Sequence, residues 1–370
     1  MTDGYGERQD GDPSFRPRAR NVEPYVQQER IRTIHFGIGA IGSEVVRTML
    51  NSPEIEIVGA IDSNPAKAGK DLGEAAGLGR KLGIPISYEV EPLLKEVYAD
   101  IVVHSTSSSL TEVCPQLLSV IGAEKSVVSS CEELAFPWIR YPDISQRLDR
   151  KAREGGVRVL GTGVNPGFVM DLLPLMLTTI CQQLKSVRVE RIVDVSTRRM
   201  QLQRKVGVGL SVTAFQEAVD SGALGHIGLR ESLYMLADTI GWRLEDVSET
   251  IEPVLAKEKR KTPYFSVDRG YLLGLRQTLA GIIGGREVIR LALEMSLGVS
   301  EPRDTIEIDA VPPLKVVIPG GVQGDIATAS IMANCVPAVA RSRMVGLISM
   351  RDLPLLAHHR PRPMPREDLV

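Results

Sequence analysis

Three glycines, a downstream aspartate, a hydroxyl-rich loop and a pair of glutamates carry most of the chemistry legible in this chain. Gly37, Gly39 and Gly42 stand in GIGAIG, the GxGxxG spacing. The first glycine permits a tight turn, the second lets backbone approach a pyrophosphate, and the third lets a helix pack closely on a strand. Ala40 and Ile41 open that helix, whose free N–H groups and positive dipole end suit phosphate. Asp62 lies twenty residues beyond Gly42, where IEIVGAID ends. A carboxylate there accepts hydrogen bonds from both ribose hydroxyls and repels a 2′-phosphate, so NAD is the expected cofactor. Lys67 or Lys70 leaves NADP possible, and Asp62 could instead only cap the next helix. Ser105, Thr106 and Ser107 of HSTSSSL are expected beneath the ribose and nicotinamide.

The strand KSVVSSC ends where the nicotinamide ring belongs, at the carboxyl edge of the sheet, and Glu132 and Glu133 follow at once. Two carboxylates beside the apolar LAFPW serve better as acid–base groups than as scaffolding, although a solvated turn could also hold them. Asn165 and Pro166 of GVNPGFVMD predict a rigid turn, with the residue before proline extended. Phe168 and Met170 either wall an apolar substrate pocket or belong to the core. His226, in GALGHIG, is a possible polar contact to substrate or cofactor, or a structural histidine.

Elements must hold these residues. From RTIHFGIG to VRVLGTG, short apolar strands alternate with amphipathic helices, which predicts right-handed βαβ crossovers and a doubly wound parallel sheet of Rossmann type. After about residue 166 the pattern changes. KSVRVERIVDVST, VSETIEPVLAKE, RGYLLGLRQTLAGII, REVIRLALEMSLG and EPRDTIEIDAVPPLKVVIPG read as strands with few helices between them. They predict a second α+β domain on a mixed or antiparallel sheet. The expected layout is a disordered tail at 1–29, a nucleotide domain at 30–165, a substrate and dimerisation domain at 166–323, a helical return over 324–357 (helix through 346), and a second disordered tail at 358–370. Val187, Val189, Ile192 and Val193 on the strand near 186–197 suggest an apolar face that pairs two copies into a homodimer.

Composition narrows the class. The formal net charge of −2 and 4% aromatic content argue against nucleic acid as partner. No run of about 18 apolar residues is present, so no membrane partner is expected. Four scattered cysteines and a polar N-terminus predict reduced thiols in a cytoplasmic protein, and no Cys/His cluster suggests a metal.

The set GIGAIG, GAIDSNPAKAGKDLGE, VVSSCEELAFP, GTGVNPGFVMD and GDIATASIMANCVP resembles the 2,4-diaminopentanoate dehydrogenases and the related native amine dehydrogenases over residues 31–355. That group is distantly related to the dihydrodipicolinate reductases, but the His-rich EHHH stretch and DAPSGT loop of those enzymes are missing; His358 and His359 are the only adjacent histidines. The resemblance implies NAD(P)-dependent oxidation of an amine or diamino acid to a ketone and ammonia, and the reverse reductive amination. It also implies that one glutamate of the EE pair is catalytic, with Glu133 favoured and Glu132 the alternative. Arg198, Arg199 and Arg204 are candidate partners for a substrate carboxylate. A reductase resembling dihydrodipicolinate reductase or homoserine dehydrogenase, acting on another carbonyl, is the competing enzyme reading; a non-catalytic NAD sensor is the other.

Overall fold

The computed structural model describes residues 29–354 and 356–357; the tails expected at 1–29 and 358–370, and the His358–His359 pair, lie outside the described residues except for Glu29. In chain order the first half runs β1 (Ile31–Phe36), α1 (Ala40–Met49), β2 (Ile55–Ile61), α2 (Leu72–Ala75), β3 (Ile86–Ser87), α3 (Val90–Glu96), β4 (Ile101–His104), α4 (Leu110–Gly122), β5 (Ser126–Ser129), α5 (Pro142–Glu154) and β6 (Arg158–Gly161). A 3₁₀ turn, Glu132–Leu134, follows β5. The second half runs α6 (Leu172–Thr178), β7 (Gln182–Asp194), α7 (Met200–Lys205), α8 (Val212–Asp220), α9 (Leu229–Ile240), β8 (Asp246–Leu255), β9 (Arg260–Lys261), β10 (Ser266–Val267), β11 (Leu272–Ile283), β12 (Arg286–Ser296), β13 (Arg303–Val311), β14 (Leu314–Pro319), α10 (Gly324–Arg341) and β15 (Gly346–Ile348).

The first sheet has the order β15-β6-β5-β4-β1-β2-β3, all parallel. Its central strands are buried on both faces, as the near-continuous apolar runs IVVH and SVVS require. α1 and α10 cover one face through Val45, Val46, Met49, Met332 and Val336; α4 and α5 cover the other through Leu110, Leu117 and Leu148. Strand order reverses between β1 and β4, so a crevice opens at their carboxyl ends. Gly37 leaves one of those ends and Ser105 the other.

The second sheet has the order β14-β13-β7-β12-β11-β8, with β7 and β12 parallel and the remaining pairs antiparallel. This is the Rossmann-type sheet plus mixed second sheet that the pattern predicts. α6 and α9 cover one face of the second sheet. Val187 and Val189 are buried on that face within a single chain, and Val193 packs there too. These three are covered within the chain itself, whereas Ile192, the fourth residue of the expected apolar face, is half-buried on the opposite side of the strand.

One boundary differs from the sequence reading. The returning helix stops at Arg341, and residues up to Ile348 turn back to add β15 beside β6. The Arg158 guanidinium donates to the carbonyls of Ser342 and Met344, which holds this stretch open, and Gly346 takes φ +108°. An apolar pattern of period 3.6 could not show where tertiary bonds would end the helix.

Candidate active site

A cleft of about 440 Å³ lies between the carboxyl edge of the first sheet and one face of the second. Gly39, Ala40 and Ile41 form its phosphate-side wall. A Cβ on Gly42 would stand 1.9 Å from the Gly37 carbonyl, and one on Gly37 would stand 2.4 Å from that of Ser105. Gly37 also has φ +96°. Both positions therefore exclude side chains to let α1 approach the strand ends. A Cβ at Gly39 would meet nothing and would project into the cleft. That open cradle, with the unbonded N–H groups of the first turn of α1, fits a dinucleotide pyrophosphate.

Ser105, Thr106 and Ser107 line the next part of the wall. Ser105 donates to the Gly37 carbonyl, and Thr106 donates to Gln116, which also holds His104. Asp62 is buried, and both its oxygens are engaged by the protein. Oδ2 accepts from the Ile38 N–H and from Lys67 Nζ, each at 2.8 Å, and Oδ1 accepts from the Asn64 N–H. Burial opposes its charge, but the bonds from Lys67, Asn64 and Ile38 outweigh it and hold the carboxyl below its usual range. Lys67 thus stands on the same spot as the carboxylate meant to choose the cofactor, and it also bonds the Ile38 carbonyl.

The two glutamates part company. Glu133, favoured on the sequence, is 7% exposed and does not reach the cleft wall. Its Oε2 accepts the Leu110 N–H at 2.8 Å and its Oε1 accepts the Tyr141 hydroxyl at 2.5 Å, with Arg140 Nη1 3.4 Å away. It serves as the cap of α4, a place the Ser109 side chain leaves unfilled. Tyr141 is correspondingly pushed up to about 12, by burial and by this bond. Glu132 lines the cleft. Burial pushes its carboxyl above the ordinary value and the Glu133 charge adds to that, against a hydrogen bond with Ser108 and the charge of Lys205.

Asn165, Pro166 and His226 line the same cleft as Glu132, and the Asn165–Pro166 peptide is cis. His226 Nε2 lies 3.2 Å from the Asn165 carbonyl oxygen. Burial lowers His226 to about 4, with Lys205 adding to the effect, so the ring is neutral near pH 7. Asn165 Oδ1 is buried and unbonded among the described residues. Phe168 and Met170 do not form the pocket wall. They pack in the core with Val187 and Leu233, because the turn after Gly167 directs them inward. The apolar wall is instead Val193, Leu202, Val206, Leu275, Leu293 and Met295. Of the three arginines suggested for a carboxylate, Arg198 and Arg199 line the cleft and Arg204 does not. Lys205 does, and so does Arg191, which is held by Asp304 at 2.9 Å and the Val322 carbonyl at 2.8 Å. Lys205 was legible in STRRMQLQRK but one helical position off; Arg191 carried no signal within a strand read as apolar.

The arrangement joins a dinucleotide cradle to a partly buried carboxylate of raised pKa, beside an apolar wall and cationic groups. Such a carboxylate can hold a cation, move a proton and stabilise developing positive charge. Among the described residues no group of three His, Cys, Asp or Glu could hold a metal, and no helix is long and apolar enough to cross a membrane. Together these define a nicotinamide-dependent oxidoreductase on a Rossmann scaffold.

Comparison with known proteins narrows the class. Residues 168–360 match the 2,4-diaminopentanoate dehydrogenase C-terminal domain, and residues 31–129 match the dihydrodipicolinate reductase N-terminus. The chain is 30% identical to 2,4-diaminopentanoate dehydrogenase of Acetoanaerobium sticklandii over 88% of its own length and 94% of that protein's. It is 25% identical to an amine dehydrogenase of Streptomyces virginiae over 60% of this chain and 62% of that one. The solved amine dehydrogenase of Mycobacterium smegmatis superposes with a TM-score of 0.78 at 26% identity, covering 90% of this chain and 97% of that one. The chain belongs to the 2,4-diaminopentanoate dehydrogenase family. It is a nicotinamide-dependent oxidoreductase that acts on amine groups, and its likeness to dihydrodipicolinate reductase is confined to the nucleotide half.

Proposed function

We propose that the cleft oxidises a primary amine or a diamino acid to its ketone and ammonia, and runs the reverse reductive amination, with Glu132 as the group that handles protons. The observation that carries this reading is the division of labour between the glutamates. Glu133 is spent on Leu110 and Tyr141, and Glu132 faces the cleft with a raised pKa.

Nicotinamide supplies hydride acceptance and donation when bound; the protein supplies orientation and charge. The glycine turn and the first turn of α1 bind the pyrophosphate. Ser105, Thr106 and Ser107 lie along the path to the ring. Glu132 removes a proton from the substrate ammonium, so that the amine lone pair is free. Once it has passed that proton to solvent, the ionised Glu132 faces the cationic iminium, which a carboxylate stabilises and a neutral side chain does not. The same carboxylate takes a proton from the water that adds to the iminium carbon and returns it to the carbinolamine nitrogen, so that ammonia leaves, the hydroxyl proton goes to solvent and the ketone remains. Asn165 and the neutral His226 line the same cleft. The apolar wall, Val193, Leu275, Leu293 and Met295 of the second sheet with Leu202 and Val206 at α7, accepts the substrate's carbon chain; Arg191 and Lys205 would meet a carboxylate if the substrate has one.

NAD is the expected cofactor, because a carboxylate holds the ribose end. NADP is admitted to the extent that Lys67 can turn from Asp62 to a 2′-phosphate. We also propose a cytoplasmic homodimer formed through the helix-free face of the second sheet, where Arg188, Glu190, Arg276, Glu287, Arg290 and Glu294 form paired rows of charge. Following NAD⁺ and NADP⁺ reduction with a panel of amines, amino acids and alcohols tests the activity. Turnover with alcohols alone would overturn it.

A further inference from the structure

One buried carboxylate has no part in the cleft. Glu231, in the first turn of α9, is wholly buried, and only one of its oxygens is bonded: Oε1 takes Arg140 Nη1 at 2.8 Å, while Oε2 has no partner among the described residues. Burial pushes this carboxyl up, and Arg140 opposes the shift. A half-satisfied buried carboxylate costs stability, and an amide in its place would cost less, because Arg140, 32% exposed, keeps the Glu133 carboxylate as a partner.

Its neighbours show what the charge holds. Arg140 also lies 3.4 Å from Glu133 Oε1, on the turn that presents Glu132. Gly228, the residue that starts α9, touches that turn directly: a Cβ there would stand 3.3 Å from Glu132 Cβ and 2.3 Å from Pro166 Cδ. The next residue after Glu231, Ser232, donates to Asp171 Oδ2 at 2.7 Å, and the same oxygen accepts the Gly167 N–H. The first turn of α9 is thus tied to two strips of backbone that both line the cleft, the glutamate turn and the Asn165–Gly167 loop. One tie is ionic and runs through Arg140 to the glutamate turn; the other is a hydrogen bond through Asp171 to the Asn165–Gly167 loop.

We propose that Glu231 and Arg140 are positioning residues for Glu132: the second domain sets the place of the glutamate turn through this ion pair, at a cost to its own stability. The inference rests on the reading of Glu132 as the proton-handling group. The groups facing Glu132 are Glu133 and Cys131 on its own turn, Ser108 before α4, Lys205 of α7 and His226 in the same cleft.

The test is E231Q, R140Q and the double variant, with E132Q alongside, assayed for amine oxidation, NADH affinity and melting temperature. Each single variant should lose tenfold or more in kcat, with NADH affinity within twofold of the parent. The double variant should lose no more than the worse single, because one tie is cut once or twice. E231Q should melt at the parent's temperature or above, a result that a merely structural ion pair would not give. Arg140→Lys keeps the charge and should recover part of the kcat. Normal kcat in E231Q, losses that multiply in the double variant, or a kcat loss in E231Q matched by a fall in its melting temperature would overturn the proposal; R140Q, which strands the buried Glu231 charge, should melt lower whatever its kcat. E132Q separates the two readings. If E132Q is inactive while E231Q is normal, only the positioning role fails; if E132Q is fully active, the reading of Glu132 fails first.

Discussion

Glu132 and Glu133 are adjacent on one 3₁₀ turn, yet their carboxylates serve different partners: Glu133 accepts the Leu110 N–H at 2.8 Å, and Glu132 lines the cleft. The carboxylate that lines the cleft and the one that caps α4 are separated by a single peptide bond.

Glu133 should matter to folding before it matters to turnover. Its carboxylate caps α4 and accepts the Tyr141 hydroxyl. Replacing it by alanine should cost about 1–3 kcal/mol, the scale of a lost charged cap with a buried donor left unpaired. Urea denaturation measures this directly, and an unchanged midpoint would remove Glu133 from that role.

Cofactor choice should follow the Asp62–Lys67 pair. Asp62→Ser removes the carboxylate proposed to accept the ribose hydroxyls and frees Lys67, so the ratio of NADP to NAD affinity should rise by about tenfold, some 1.4 kcal/mol. Lys67→Ala should move it the other way. Calorimetric titration with both cofactors needs no substrate, and equal ratios in all three proteins would take the pair out of cofactor selection.

Activity should show an acid limb above the ordinary glutamate range. In the proposed mechanism the ionised form of Glu132 accepts the proton, and burial raises its pKa. Therefore kcat/KM should fall as the pH drops through that raised value, and E132Q should lack the limb. Stability has a separate acid dependence. His35 and His104 are fully buried and His226 partly so, and desolvation lowers each to about 4. The unfolded chain takes up protons that these sites refuse, so their contribution is whole above about pH 6.5 and is lost as the pH falls towards 4. Denaturation midpoints between pH 7.5 and 4.5 would show it; a flat profile would contradict it.

Two copies should pair through the second sheet. Light scattering at micromolar concentration should give twice the mass of the chain, and charge reversal at Arg276 and Arg290 should weaken the pair by setting like charges against the other copy's face. A single-chain mass at that concentration would exclude this dimer.

The sequence made the sheet order's consequences readable, because GxGxxG, the strand after it and Asp62 are local patterns whose geometry is fixed within a few residues. Glu132 and Glu133 were not separable by such means. Which carboxylate turns to the cleft is decided by the Leu110 N–H and Tyr141, residues 23 and 8 positions away, and no spacing rule records that. Phe168 and Met170 failed for the same reason: their apolar character suits a wall or a core equally, and the turn at Gly167 decides. The strand at Gly346–Ile348 was hidden by a helical pattern that Arg158 interrupts from the far side of the chain.

The most direct measurement is the pair E132Q and E133Q, assayed for amine oxidation and reductive amination, with NADH affinity as the control for intact folding. E132Q should lose roughly 10²-fold or more in kcat, the scale of a lost acid–base group, while keeping its NADH affinity. E133Q should lose far less turnover. Full activity in E132Q together with loss in E133Q would contradict the assignment and return the catalytic role to the buried glutamate.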